Sequence, residues 1–173
     1  SIGSFGLYGN AAIQYNKSTN TGDLMQGGNY YPNSDLENVS GRSSAGGGGV
    51  ANLGQFTMNS LRSDAIAYNS AARYGGGLYS YSEGGQYTYR WTKLLNGGIT
   101  GNTAGEQGGG VHASPNHSGT ELTLGGNVSI TGNTLTDGTD ENLYLLVDTE
   151  YGASAKISVS GLTEDADIQV VEG

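Results

Sequence analysis

The sequence predicts an all-β fold, a right-handed parallel β-helix (solenoid) of about five to six coils with about three short strands per coil and essentially no helix. Three observations carry that expectation. One short pattern recurs in the same sense along the chain: an aliphatic anchor, an Asn three residues later, then a glycine-rich corner. The segments between corners alternate apolar and polar residues, as half-buried strands do. No stretch sustains a 3.6-residue apolar period flanked by caps.

The two clearest copies are Ile66-Ala67-Tyr68-Asn69-Ser70-Ala71 and Ile99-Thr100-Gly101-Asn102-Thr103-Ala104. In both, the first glycine of the corner follows the anchor by nine residues, and the next apolar residue by twelve. Ile130-Thr131-Gly132-Asn133-Thr134 keeps the turn, with Leu143 thirteen residues on and Thr139-Asp140-Glu141 where the glycines stood. Val39-Ser40-Gly41-Arg42-Ser43 and Ile13-Gln14-Tyr15-Asn16-Lys17 are weaker copies. The anchors therefore fall at 13, 39, 66, 99 and 130, with spacings of 26, 27, 33 and 31. Loops of differing length between like coils produce such uneven spacing. A strand is expected between each corner and the next anchor, at Phe56-Thr57-Met58, Tyr87-Thr88-Tyr89 and Leu122-Thr123-Leu124. Antiparallel hairpins would instead call for two-residue Asn-Gly turns between strands.

Two stacks follow from the repeat. Asn16, Asn69, Asn102 and Asn133 share one position after the anchor, where Asn tolerates a left-handed turn and its amide can bond the amide of the next coil. Arg42 falls in the same series, so the ladder is expected to be interrupted there. The corners Gly47, Gly48, Gly49, then Gly75, Gly76, Gly77, then Gly108, Gly109, Gly110 form the second stack, where glycine permits positive φ and close approach of the next coil. The whole of 1–173 reads as one domain: irregular first coils with an insertion over 1–38, regular coils over 39–142, and a terminal coil with an acidic end over 143–173.

Composition narrows the class. The chain has 173 residues with 32 glycines, 2 prolines and no cysteine. Glycine lacks the three-residue period of collagen. The 12 tyrosines and the regularly spaced aliphatics argue against disorder. The net charge of −9 comes from 16 acidic and 7 basic residues. Residues 120–173 hold ten acids against Lys156 alone, whereas 1–119 are balanced at six of each. An acidic surface repels nucleic acid and anionic membranes. No apolar run approaches the roughly 18–20 residues of a membrane span. The opening residues carry no leader pattern, so the sequence reads as a mature or excised segment.

Gly98-Ile99-Thr100-Gly101-Asn102-Thr103-Ala104 followed by Gly108-Gly109-Gly110-Val111 resembles the right-handed β-helix repeats of large Gram-positive and gut-bacterial cell-surface proteins, the adhesin-like coils of the pectate-lyase superfamily. The ending, Lys156-Ile157-Ser158-Val159-Ser160-Gly161-Leu162 through Asp167-Ile168, is similar to the terminal segment of such arrays. The resemblance is strongest over 95–173 and weakest over 1–38, where Tyr15 departs from the motif glycine, as Tyr68 also does further on. It implies an extracellular, wall-associated, non-enzymatic module at the bacterial cell surface, and it brings no catalytic residues with it.

Candidate sites are few. Tyr79, Tyr81 and Trp91, with Tyr87 and Tyr89, crowd one coil and form the candidate glycan-binding set, since exposed aromatic rings stack on sugar faces. The competing reading, that Tyr87, Tyr89 and Trp91 share strand parity and fill core or groove, is favoured. Asp137, Asp140 and Glu141 are the candidate calcium ligands, but they follow neither the EF-hand spacing nor the calcium β-roll repeat. His112 and His117 flank a loop and read as ordinary loop histidines. No catalytic, cofactor or resident metal set emerges, so no cofactor is expected.

These readings converge on a non-catalytic structural or adhesive surface module, whose partners are further copies of itself or other surface proteins. The neutral first part and acidic last part suit end-to-end stacking into a fibre. The alternatives are a carbohydrate-binding module using the aromatic coil, and a polysaccharide lyase or hydrolase, which would need clustered carboxylates or a base beside bound calcium.

Overall fold

The computed structural model describes residues 4–19, 24–26, 29–31, 46–52, 54–81, 91–114, 121–148 and 153–172. Among them there is no helix. The strands run in chain order as β1 (Ser4–Gly9), β2 (Ile13–Gln14), β3 (Lys17–Ser18), β4 (Leu24–Gln26), β5 (Asn29–Tyr31), β6 (Val50–Asn52), β7 (Gln55–Ser60), β8 (Ile66–Ala67), β9 (Ser70–Ala71) and β10 (Leu78–Tyr81). They continue as β11 (Trp91–Thr100), β12 (Thr103–Ala104), β13 (Val111–Ser114), β14 (Glu121–Gly126), β15 (Val128–Thr131), β16 (Thr134–Leu135) and β17 (Leu143–Leu145). The last are β18 (Val147–Asp148), β19 (Ala153–Ser154), β20 (Lys156–Leu162), β21 (Asp167–Ile168) and β22 (Val170–Glu172).

The chain visits the same sides in the same order, and each visit pairs parallel to the one before. Side one is β1-β7-β11-β14-β20. Side two is β2-β8-β11-β15-β21, joined to side one because β11 runs through both. Side three is β3-β9-β12-β16, and side four is β6-β10-β13-β17-β22. A full circuit thus has four strand segments rather than three, and in the β11 circuit the first two are one strand bent around a corner. Two antiparallel hairpins, β4–β5 and β18–β19, were not legible in the sequence.

The interior follows from strand alternation. Ile13, Ile66, Ile99, Ile130 and Ile168 form one inward column. Leu7, Met58, Leu94, Leu124 and Val159 form another, and Val50, Leu78, Val111, Leu143 and Val170 a third. The middle members are fully buried in one continuous apolar core. Each circuit can bury these side chains only against its neighbours, so stability is close to a sum over stacked interfaces.

Two expectations are corrected, and a third falls outside the described residues. Val39 was expected as an anchor between Ile13 and Ile66, but Ile13 pairs directly with Ile66, so no rung lies between those two. The strand expected at Tyr87-Thr88-Tyr89 lies outside the described residues, and the column positions beside Phe56 and Met58 belong to Thr92 and Leu94. The ladder does not break at Arg42, because Asn16 and Asn69 are adjacent rungs. Val39, Arg42, Tyr87, Tyr89 and His117 themselves lie outside the described residues.

Candidate functional site

The turn after each anchor carries a directional amide ladder. Asn16 Nδ2 donates to Asn69 Oδ1 at 3.0 Å, Asn69 Nδ2 to Asn102 Oδ1 at 3.0 Å, and Asn102 Nδ2 to Asn133 Oδ1 at 2.9 Å. The backbone N–H of each rung donates to the same oxygen as its side chain. Asn133 Nδ2 passes on to Asn142 Oδ1 at 2.9 Å, and Asn142 Nδ2 to Gln169 Oε1 at 2.6 Å. Asn142 and Gln169 were missed because they sit at a corner and outside the anchor spacing. Asn69, Asn102, Asn133 and Asn142 are buried. Further bonds to Ile13 O, Ile66 O and Ile99 O satisfy the remaining amide hydrogens and tie each rung to a neighbouring circuit.

The glycine corners stack behind the ladder. Gly48 N–H donates to Gly75 O at 3.0 Å and Gly76 N–H to Gly108 O at 3.0 Å. A Cβ on Gly76 would collide with the backbone carbonyl oxygens of Gly109 and Thr103. The fourth corner uses acid instead: Glu141 accepts a short hydrogen bond from Gly108 N–H and donates its own N–H to Asn133 O. Burial pushes the Glu141 carboxyl above its ordinary range, against the pull of Gly108 N–H, and the charge of Asp137 pushes the same way.

Aromatic residues gather on the outward side of β10, β13 and β17. Tyr79, His112 and Tyr144 are register partners, with ring centroids 5.4 Å and 5.3 Å apart along the column. Tyr81 stacks on Tyr79 at 6.2 Å, and Tyr74 lies 5.0 Å from His112. Gln107 joins two of them, its Nε2 donating to the Tyr144 hydroxyl and its Oε1 facing His112 Nε2 at 3.1 Å. Burial, then the nearby charge of Glu141, raises the Tyr144 phenol above its ordinary range. At the rim, Arg73 pairs with Glu106 at 2.6 Å and lies over the Tyr74 ring.

The structure brings Tyr79 and Tyr81 together and buries both. Trp91 is half-buried on β11, on a different side, with the Lys93 ammonium 5.1 Å from its ring. The exposed stacked pair is Tyr15 and Tyr68, which the sequence marked only as departures from the motif glycine. Tyr74, Gln107 and Tyr144 were missed because their grouping depends on the register between circuits. Asp137 is held below its ordinary range by the Thr139 N–H and side chain, within one tight turn. Among the described residues no group of three or more His, Asp or Glu side chains is placed to hold a metal ion.

No family model, curated protein or solved structure matches the chain.

Proposed function

We propose that the stacked circuits form a right-handed parallel β-helix that serves as a non-catalytic structural and adhesive module of a bacterial surface protein, outside the cell. The observation that carries this reading is the unbroken amide ladder beside a continuous apolar core. Such a molecule invests its polar chemistry in joining circuits, as a rod or spacer requires. Right-handedness follows from the strong preference of parallel strand connections, about 98% of which are right-handed. The two acidic groups raised by burial, Glu141 and Tyr144, are engaged in hydrogen bonds that join neighbouring circuits.

The test is display of the chain on a bacterial host, with adherence to matrix-coated surfaces measured beside incubation with a polysaccharide panel. Gain of adherence without release of reducing ends is the expected result. Release of reducing ends that disappears on acid-to-amide substitution would assign the chain to the polysaccharide-degrading alternative. The carbohydrate-binding alternative is favoured by one observation, the solvent-facing rings of Tyr15 and Tyr68, which are 75% and 49% exposed. Glycan-array binding that vanishes in Tyr15→Ala would establish it.

A further inference from the structure

The amide ladder is polar, and its polarity selects how two molecules can meet. Each bond between ladder side chains runs from the amide nitrogen of the residue earlier in the chain to the oxygen of the later one. Among the described residues, Asn16 Oδ1 accepts no hydrogen bond and Gln169 Nε2 donates none, and both residues are exposed. The ladder therefore has an open acceptor at its first rung and an open donor at its last. The backbone edges have the same arrangement: among the described residues β1 pairs with β7 alone, and β20 with β14 alone. Unpaired strand edges are templates for another strand.

We infer that the last circuit of one copy docks on the first circuit of a second copy, head to tail and in register. This deepens the structural reading above and rests on it. Continuing the observed columns by one step places Ile157 against Phe5, Ile168 against Ile13 and Val170 against Val50 of the next copy, apolar against apolar at each place. The same step carries Gln169 Nε2 to Asn16 Oδ1. Phe5 is 52% exposed, Val159 66% and Val170 46%, so the two ends present apolar surface that a further circuit would bury. Charge favours the same pairing. Residues 4–19 carry Lys17 alone, whereas 153–172 carry Glu164, Asp165, Asp167 and Glu172 against Lys156. Head-to-head contact would set acceptor against acceptor, and tail-to-tail contact acid against acid. Three of the four sides find a partner strand, because the last circuit has no strand on side three.

The test uses the full chain, with light scattering after size exclusion at concentrations up to about 1 mM, where weak interfaces register. Wild-type mass should at least double and grow in whole-copy steps. Phe5→Asp blocks the head and Val170→Asp the tail; both sites lie exposed at the ends of the stack, and retention of the fold is verified by far-ultraviolet circular dichroism. Each variant alone should be monomeric, and a 1:1 mixture should form a dimer and nothing larger. A wild type that stays monomeric, a mixture that stays monomeric, or either variant dimerising alone overturns the inference. If the wild type is monomeric but β-rich and melts cooperatively, docking fails while the module reading stands. Loss of the β spectrum would remove both.

Discussion

Tyr15 and Tyr68 stack with ring centroids 5.1 Å apart and planes 16° from parallel, and both hold left-handed backbone at φ 58° and 57°. The equivalent positions in the next two circuits are Gly101 and Gly132, at φ 63° and 64°. A non-glycine residue costs about 1–2 kcal/mol in that conformation. An aromatic pair returns about 0.5–1.5 kcal/mol beyond its buried area. The stack is of similar size to the strain at one of the two tyrosines, so it offsets part of the strain the pair carries.

This balance makes Tyr68 a site where glycine outperforms alanine. Tyr68→Gly loses the stack and the strain together and should change stability by less than about 1 kcal/mol. Tyr68→Ala loses the stack and keeps the strain, so it should be destabilised by about 1–2 kcal/mol relative to the glycine variant. Urea-unfolding midpoints give the order directly, and alanine at or above glycine would contradict the account.

The ladder predicts a gradient along the stack. Asn102 is buried; its amide donates to Ile66 O and Asn133 Oδ1 and accepts from Asn69 N–H and Nδ2. Asn102→Ala strands several of those groups at about 1–3 kcal/mol each, so a total loss of about 3–5 kcal/mol is expected. Asn16→Ala, at the exposed first rung, should cost about 1 kcal/mol. Equal losses in chemical unfolding would show that the ladder is not what joins the circuits.

Much of this arrangement was legible in the sequence because it is local. Ile66, Ile99 and Ile130 each precede an Asn by three residues, and the first two precede a glycine corner by nine, since one turn geometry fixes those distances. Val39 misled for a physical reason. The corner at Gly47–Gly49 is real, but it closes the circuit anchored by Ile13, so the nearest aliphatic was not the relevant one. Tyr74, Gln107 and Tyr144 could not be grouped at all. They lie on three successive circuits and come together around His112 through interstrand register, which spacing along one strand does not encode. Asn142 is intermediate: it enters the ladder from the corner nine residues after Asn133, a substitute the anchor rule does not anticipate.

Glycine at the corners separates close approach from backbone freedom. Gly76→Ala forces a methyl into the carbonyls of Gly109 and Thr103, with no flexible side chain to yield. A loss above about 3 kcal/mol, or failure to fold, is expected. Gly138 has φ 89° and open space around its Cβ position, so Gly138→Ala should cost only about 1 kcal/mol. Thermal melts of the two variants test the contrast.

Glu141 gives the chain a pH dependence of opposite sign to that of its surface acids. Its folded carboxyl lies above the ordinary value of 4.5, first because burial disfavours the charge and also because Asp137 is near, with Gly108 N–H opposing. The folded state therefore binds that proton more tightly than the unfolded state does. The penalty is fully present at neutral pH and is relieved as pH falls through the raised folded value toward 4.5. Asp64 and Asp137 are lowered, by Arg62 and by Thr139 respectively, so their contribution is present above the ordinary 3.8 and is lost only as pH falls through their folded values. Between neutrality and 4.5 the Glu141 effect stands alone among these groups. Glu141→Gln keeps an oxygen to accept from Gly108 N–H and carries no charge. Its melting temperature should exceed that of the wild type most at neutral pH, and the gap should close on acidification to 4.5. A gap that is constant across that interval, or that widens on acidification, would show that Glu141 is not the source.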